Sequence, residues 1–185
     1  MNKNLLYNKS MNYKRFFIPN SMVFITVVTY NRKDFLLDYI DLIKHSLKYT
    51  KTKISFKIEA IAILKDHIHF ILQPENITDY PNIIKYFKTY FSRNINIDNS
   101  DLTEGKKHKK ENGVWQSRYW AHIILDENDL NKHIDYIHYN PMKHYKIAPK
   151  DWEYSSFMKY VNNKLYDINW CNFEDKYKIL ELDLE

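Results

Sequence analysis

The sequence predicts an α+β domain, an antiparallel sheet of about four to five strands with helices packed on it. Three observations carry this reading. Apolar β-branched runs alternate with segments of helical periodicity in the order strand, helix, strand, strand, helix, strand, helix. The second and third strands are joined only by Lys65-Asp66, a link that suits a hairpin and is too short for a crossover. Gly105 and Gly113 are the only two glycines, so neither Gly-rich phosphate loop can be written and a doubly wound nucleotide fold has no support.

Met22 to Tyr30 (MVFITVVTY) is a β-branched and aromatic run, hence a buried strand. Asn31 to Asp34 offers a turn and a cap. From Phe35, apolar residues at Leu36, Ile40, Ile43 and Leu47 mark an amphipathic helix. Ile54 to Leu64 reads as a strand with Ile54, Phe56, Ile58, Ala60 and Ala62 on one face. His67 to Gln73 is its hairpin partner. Asp79 and Pro81 open a helix that buries Ile83, Ile84, Phe87 and Phe91 and runs to about Asn94. Residues 95–113 read as a loop carrying Lys106, Lys107, Lys109 and Lys110. A strand follows within Val114–Leu125, centred on 119–124. Asp126 or Asn128 caps a helix that Pro141 is expected to stop at Tyr139 or Asn140, because the residue before a proline is pushed out of the helical region. The rest is irregular with one short helix. The organisation is a flexible arm at 1–13, one domain at 14–164 and a tail at 165–185.

A 44% hydrophobic content fills a core, and one cysteine excludes a disulfide framework and a Cys-rich zinc site. No apolar run approaches the roughly 18 residues of a membrane span, and the polar first fifteen residues show no signal-peptide core. The expectation is a soluble cytoplasmic protein. Net charge +5 with 16% aromatic residues hints at a nucleic-acid partner.

His67-Ile68-His69 lies in a strand, so both imidazoles share one face about 7 Å apart along the chain. Two such groups can share one divalent metal; the motif alone also fits two partly exposed histidines on a sheet face, or one satisfied by a core hydrogen bond. In the helix DLNKHIDYIHYN, Leu130, Ile134 and Ile137 form the core stripe at about 100° per residue. Tyr136 and Asn140, spaced i and i+4, then fall together on a polar face beside it, with His133 near them and Tyr139 opposite. A phenol beside a metal ligand is the geometry of a metal-assisted nucleophile, and it is also that of an ordinary packing tyrosine.

Together the two motifs resemble the HUH single-strand nucleases, and more closely the REP-associated tyrosine transposases. Four stretches carry the resemblance: VFITVVTYNRKDFL (23–36), AILKDHIHFIL (62–72), VWQSRYWAHIILDENDL (114–130) and DYIHYNPMKHYKIAPKDWEYSS (135–156). It implies an HUH palm in which His67, His69 and Asn140 bind one Mg²⁺ or Mn²⁺ and Tyr136 is the nucleophile. Lys65 and Asp66 stand where the family commonly has Pro and Asn or Glu. Asp66, His122 and His133 are expected to support the site.

The implied reaction is cleavage of single-stranded DNA beside a palindromic hairpin. Tyr136 forms a 5′-phosphotyrosine and a free 3′-OH remains, which later rejoins strands. No nucleotide cofactor is required. The implied state is a monomer, with a dimer as the alternative. Cations suited to the DNA backbone are Lys14, Arg15, Arg32, Lys33, Arg118, Lys143 and Lys146 with the lysines at 106–110, and Tyr13, Phe16, Tyr30, Tyr119 and Trp120 are candidates to stack on unpaired bases. Two other functions fit the residues: a non-catalytic hairpin DNA- or RNA-binding protein of the same fold, and a metal-dependent hydrolase that uses water.

Overall fold

The computed structural model describes residues 21–96 and 113–171. The N-terminal arm with Tyr13, Lys14, Arg15 and Phe16, the lysine-rich run at 106–110 and the chain beyond 171 lie outside the described residues. Eight elements matter for the site: β1 (Val23–Val28), α1 (Ile40–Lys51), β2 (Phe56–Ile63), β3 (His67–Pro74), α2 (Tyr80–Asn94), β4 (Trp120–Ile123), α3 (Glu127–Tyr145) and α4 (Phe157–Asn162). The strands form one sheet in the order β2-β3-β1-β4, every neighbouring pair antiparallel.

Strand alternation sorts the sheet into two faces. Val23, Ile25, Val27, Ile68, Phe70 and Leu72 join Ile43, Ile83, Phe87 and Phe91 in one core cluster, with α1 and α2. Phe24, Ala60, Ala62 and Ile71 join Ile134, Ile137 and Tyr160 in the other, under α3. In register, Phe24 pairs with Ile71 and His122, and Thr26 with His69 and Trp120. The histidine pair therefore lies on the α3 face, in a strand flanked on both sides.

Three expectations need correction. In β2 the single apolar face is broken: the pairing with β3 slips between Ile58 and Ala60. Phe56 and Ile58 pack with the α1/α2 cluster, whereas Ala60 and Ala62 pack with the α3 cluster. A bulge of one residue moves all that follows to the other face.

Pro141 does not end its helix, since α3 continues to Tyr145 and closes on a left-handed Lys146, φ 58°. An internal proline costs about 3 kcal/mol. Burial of every residue from Tyr136 to Met142 outweighs that cost, and the Asn140 side-chain amide donates to the Tyr136 carbonyl at 2.7 Å. Finally, Tyr136, Tyr139 and Asn140 do not share out between a polar face and an outer face, because all three are buried. The α3 helix is covered on both sides, by the sheet and by the chain that returns after it.

That returning chain explains the W-x-x-SS motif. The Trp152 indole N–H donates to the Ile63 carbonyl at 3.1 Å, and the backbone of Tyr154 and Ser156 bonds to Ile63 and Ile61. The segment thus satisfies the free edge of β2. Ser156 Oγ also accepts from the Ile61 N–H and lies 2.8 Å from His138 Nε2 on α3. Phe157, Tyr160 and Tyr166 close around the His138 ring.

Burial, reinforced by the nearby Lys159 charge, pushes the His138 imidazole down to about 3. A histidine depressed when folded binds fewer protons than in the unfolded chain between that value and the ordinary value of about 6.5. Its stabilising effect is therefore lost as pH falls through this window, by about 1.4 kcal/mol per pH unit for one proton. Thermal denaturation scanned from pH 7 to pH 3 should show this slope, and His138→Gln should flatten it. An unchanged slope would place the acid lability elsewhere.

Candidate active site

The His67 and His69 rings meet edge-on with centroids 4.8 Å apart. His69 is fully buried, with Nδ1 2.8 Å from Thr26 Oγ1 and Nε2 3.2 Å from Asn140 Oδ1. Because the Asn140 amide nitrogen is committed to the Tyr136 carbonyl, its oxygen is the atom that faces His69. Burial first, and the neighbouring His67 charge second, push the His69 imidazole well below its usual range, so it is neutral at pH 7.

His67 places Nδ1 2.6 Å from Asp66 Oδ1. Burial works to raise the Asp66 carboxyl, but the hydrogen bond and charge of His67, and then those of Arg32, hold it below its ordinary value. The ionised carboxylate can only accept, so Nδ1 donates to it and Nε2 is the ring nitrogen left to meet a ligand. That Nε2 is buried and has no hydrogen-bond partner. An orphaned imidazole nitrogen beside a second imidazole and an amide oxygen is a donor set that suits one divalent cation, and the Asp66–His67 contact is the usual brace behind such a ligand.

Tyr136 stands next to this set. Its ring centroid is 5.2 Å from that of His69 and 5.9 Å from that of Phe24, both edge-on. The exposed Lys143 holds its ammonium 5.2 Å from the Tyr136 ring centroid. So β3 and α3, distant in sequence, bring a phenol, two imidazoles and an amide together.

Comparison with known proteins places the chain in a family. The model of the family described as "Transposase IS200 like" matches residues 19–140. The chain belongs to the IS200-like transposases. A REP-associated tyrosine transposase of Escherichia coli K12 is 30% identical over 162 residues, covering 86% of this chain and 90% of that protein. A Haemophilus influenzae protein assigned to the same group is 41% identical over 162 residues, covering 86% of this chain and 92% of that one. A solved structure of a REP-associated tyrosine transposase bound to a REP hairpin superposes with a TM-score of 0.70 at 28% identity, covering 86% of this chain and 90% of that chain. The resemblance read from the four sequence stretches is thus upheld, and the transposase belongs with the REP-associated branch.

Thr26, Arg32, His67, Arg118, Tyr119 and Trp120 line one recess of ≈ 310 Å³. Trp120 is 39% exposed and stacks on His122; Arg118 is exposed. Arg32 reaches Asp66 at 3.1 Å from a turn in which Asn31 and Arg32 both take left-handed φ; Lys33 and Tyr30 lie on that turn, partly exposed. Lys143, expected at the DNA backbone, sets its ammonium over the Tyr136 ring.

His122 and His133 stand apart from the histidine pair: both contact Asp129, and their ligand atoms lie within 4.8 Å of one another, a group that could hold a metal ion. Sequence reasoning missed Thr26, which only the strand register pairs with His69. It also missed His144, whose ring lies 5.1 Å from His67. The signal was present, since 136, 140 and 144 share one i, i+4 stripe, but it was hidden by the expectation that Pro141 ends the helix. No described helix is long and apolar enough to cross a membrane.

Proposed function

We propose that this transposase is a metal-dependent single-stranded DNA endonuclease and strand transferase that acts beside palindromic hairpins through a 5′-phosphotyrosine at Tyr136. The observation that carries the proposal is the convergence of His67, His69 and Asn140 next to the Tyr136 ring. His67 Nε2, His69 Nε2 and Asn140 Oδ1 would hold the cation, Mg²⁺ or Mn²⁺. When bound, it supplies Lewis-acid polarisation of the phosphoryl oxygens of the scissile phosphate.

The remaining work belongs to the chain itself. Asp66 and Thr26 orient the two imidazoles. The Tyr136 oxygen attacks phosphorus, the P–O3′ bond breaks, and the 3′ oxygen leaves as a hydroxyl with the proton that the phenol gives up. Lys143, with its ammonium 5.2 Å from the Tyr136 ring centroid, would add positive charge beside the developing negative charge. One phosphodiester replaces another, so a 3′-OH can reverse the step without a nucleotide cofactor. The recess beside His67, with Arg32 and Arg118 for phosphates and Trp120 for a base, suits an unpaired nucleotide at about 1–3 kcal/mol for the stacked base. The hairpin carried by the related solved complex supports the substrate class.

Hairpin oligonucleotides labelled at either end, incubated with the protein and Mn²⁺, test the proposal. The 3′ label should travel with the protein through denaturation, and the 5′ label should appear in a released fragment ending in a 3′-OH. Binding without cleavage, or turnover without an adduct, would overturn it.

A further inference from the structure

We propose that His122, Asp129 and His133 form a second divalent-metal site, zinc being the class of ion, that ties the edge strand β4 to the first turns of α3. Nothing in the reaction proposed above uses these residues. His122 comes from β4, and Asp129 and His133 from α3. Asp129 and His133 are spaced i and i+4, so they project from one side of the helix as helix-borne metal ligands do. Their ligand atoms and that of His122 all lie within 4.8 Å of one another.

The donor set suits the ion. Two imidazoles and one carboxylate are borderline ligands that favour zinc over magnesium, and three protein ligands leave a position for water. Burial pushes the His133 imidazole down against the opposing pull of Asp129, so it is neutral at pH 7. Asp129 is ionised: burial raises its carboxyl, but hydrogen bonds from His122 and from the Leu125 N–H outweigh this. The three groups are already gathered: His122 Nε2 lies 2.8 Å from one carboxylate oxygen, and the His133 ring sits beside the other, its Nδ1 held 2.8 Å from the Asp129 backbone carbonyl. A second observation points the same way. With Nδ1 held by the Asp129 carbonyl, the His133 nitrogen left for an ion is Nε2, which is almost fully buried and has no hydrogen-bond partner. His122 and Asp129 are partly exposed, which gives an ion a path to the site.

The site is separate from the His67–His69 pair. Phe24, on the strand between β3 and β4, places its ring 5.5 Å from His69 and 4.8 Å from His133, an apolar partition between them. Metal here would fix β4, which carries Trp120 into the recess, and the turn of α3 just before Tyr136. Its role is that of a staple, and its ligands are positioning residues.

Equilibrium dialysis of the full chain against Zn²⁺, read alongside thermal denaturation, tests the proposal. The unsubstituted protein should bind two equivalents. His122→Ala, at a partly exposed edge position, and Asp129→Asn, which keeps the side chain's shape, should each weaken one equivalent by roughly 100-fold and remove the matching rise in melting temperature. His67→Ala/His69→Ala should leave that equivalent in place. If the unsubstituted protein binds a single equivalent that survives the active-site pair and is lost in His122→Ala, the staple stands and the metal role of His67 and His69 falls. Zinc binding that is unchanged in both His122→Ala and Asp129→Asn, or absent from the unsubstituted protein, overturns it.

Discussion

Replacing Tyr136 with phenylalanine should reduce hairpin cleavage and adduct formation by roughly 10³-fold or more, the scale expected when a covalent nucleophile is removed. The melting temperature should move by no more than a few degrees, about 1 kcal/mol for a chain of this size. The separation rests on the geometry. The ring of Tyr136 is held by His69, Phe24 and the Lys143 stem and ammonium, and phenylalanine keeps all of those ring contacts. Only the hydroxyl is lost. Tyr139→Phe is the matched control. It lies three residues along the same helix and is also buried, so it controls for the loss of a buried tyrosine hydroxyl from α3. Labelled-hairpin capture and thermal denaturation of both variants give the answer. Cleavage that survives in Tyr136→Phe, or falls equally in Tyr139→Phe, removes Tyr136 from the nucleophile's role.

Much of this site could be read from the sequence because its periodicities are simple. An alternating His-Ile-His in a strand needs no tertiary information to put two imidazoles on one side, and an i, i+4 pair needs none to put Tyr136 beside Asn140. The parts that could not be read depend on contacts between segments far apart in the chain. Whether Pro141 breaks α3 depends on how much burial rewards the helix for continuing, and that reward comes from Trp152 to Tyr166, which pack on its outer side. Tyr139, which a two-sided helix would have exposed, is buried as well. The Ala60 and Ala62 face depended on a bulge that period-2 alternation cannot reveal. His122 reads as an active-site helper on its motif; the β1–β4 register pairs it with Phe24, two positions along β1 from Thr26, where Asp129 and His133 contact it.

His69→Gln should produce the second large loss, roughly a 10³-fold fall in cleavage with hairpin affinity changed by no more than about threefold. The reason for the split is position. His69 is fully buried and does not line the recess, whereas Arg32, Arg118, Tyr119 and Trp120 do; a change that shares no contact with those groups should act independently of them. Glutamine is the informative replacement. Alanine would leave Thr26 Oγ1 and Asn140 Oδ1 facing a cavity, and the cost of the cavity and of the unpaired polar atoms, about 2–4 kcal/mol, would blur the result. The glutamine amide can still meet either group, yet it lacks the second ring nitrogen with which His69 bridges Thr26 and Asn140. Cleavage rates and hairpin dissociation constants measured at fixed salt, in the same Mn²⁺ series, separate the two effects. Parallel losses of cleavage and binding would mean that the histidine pair serves to shape the DNA surface, and Tyr136 would then need its activation from some other group.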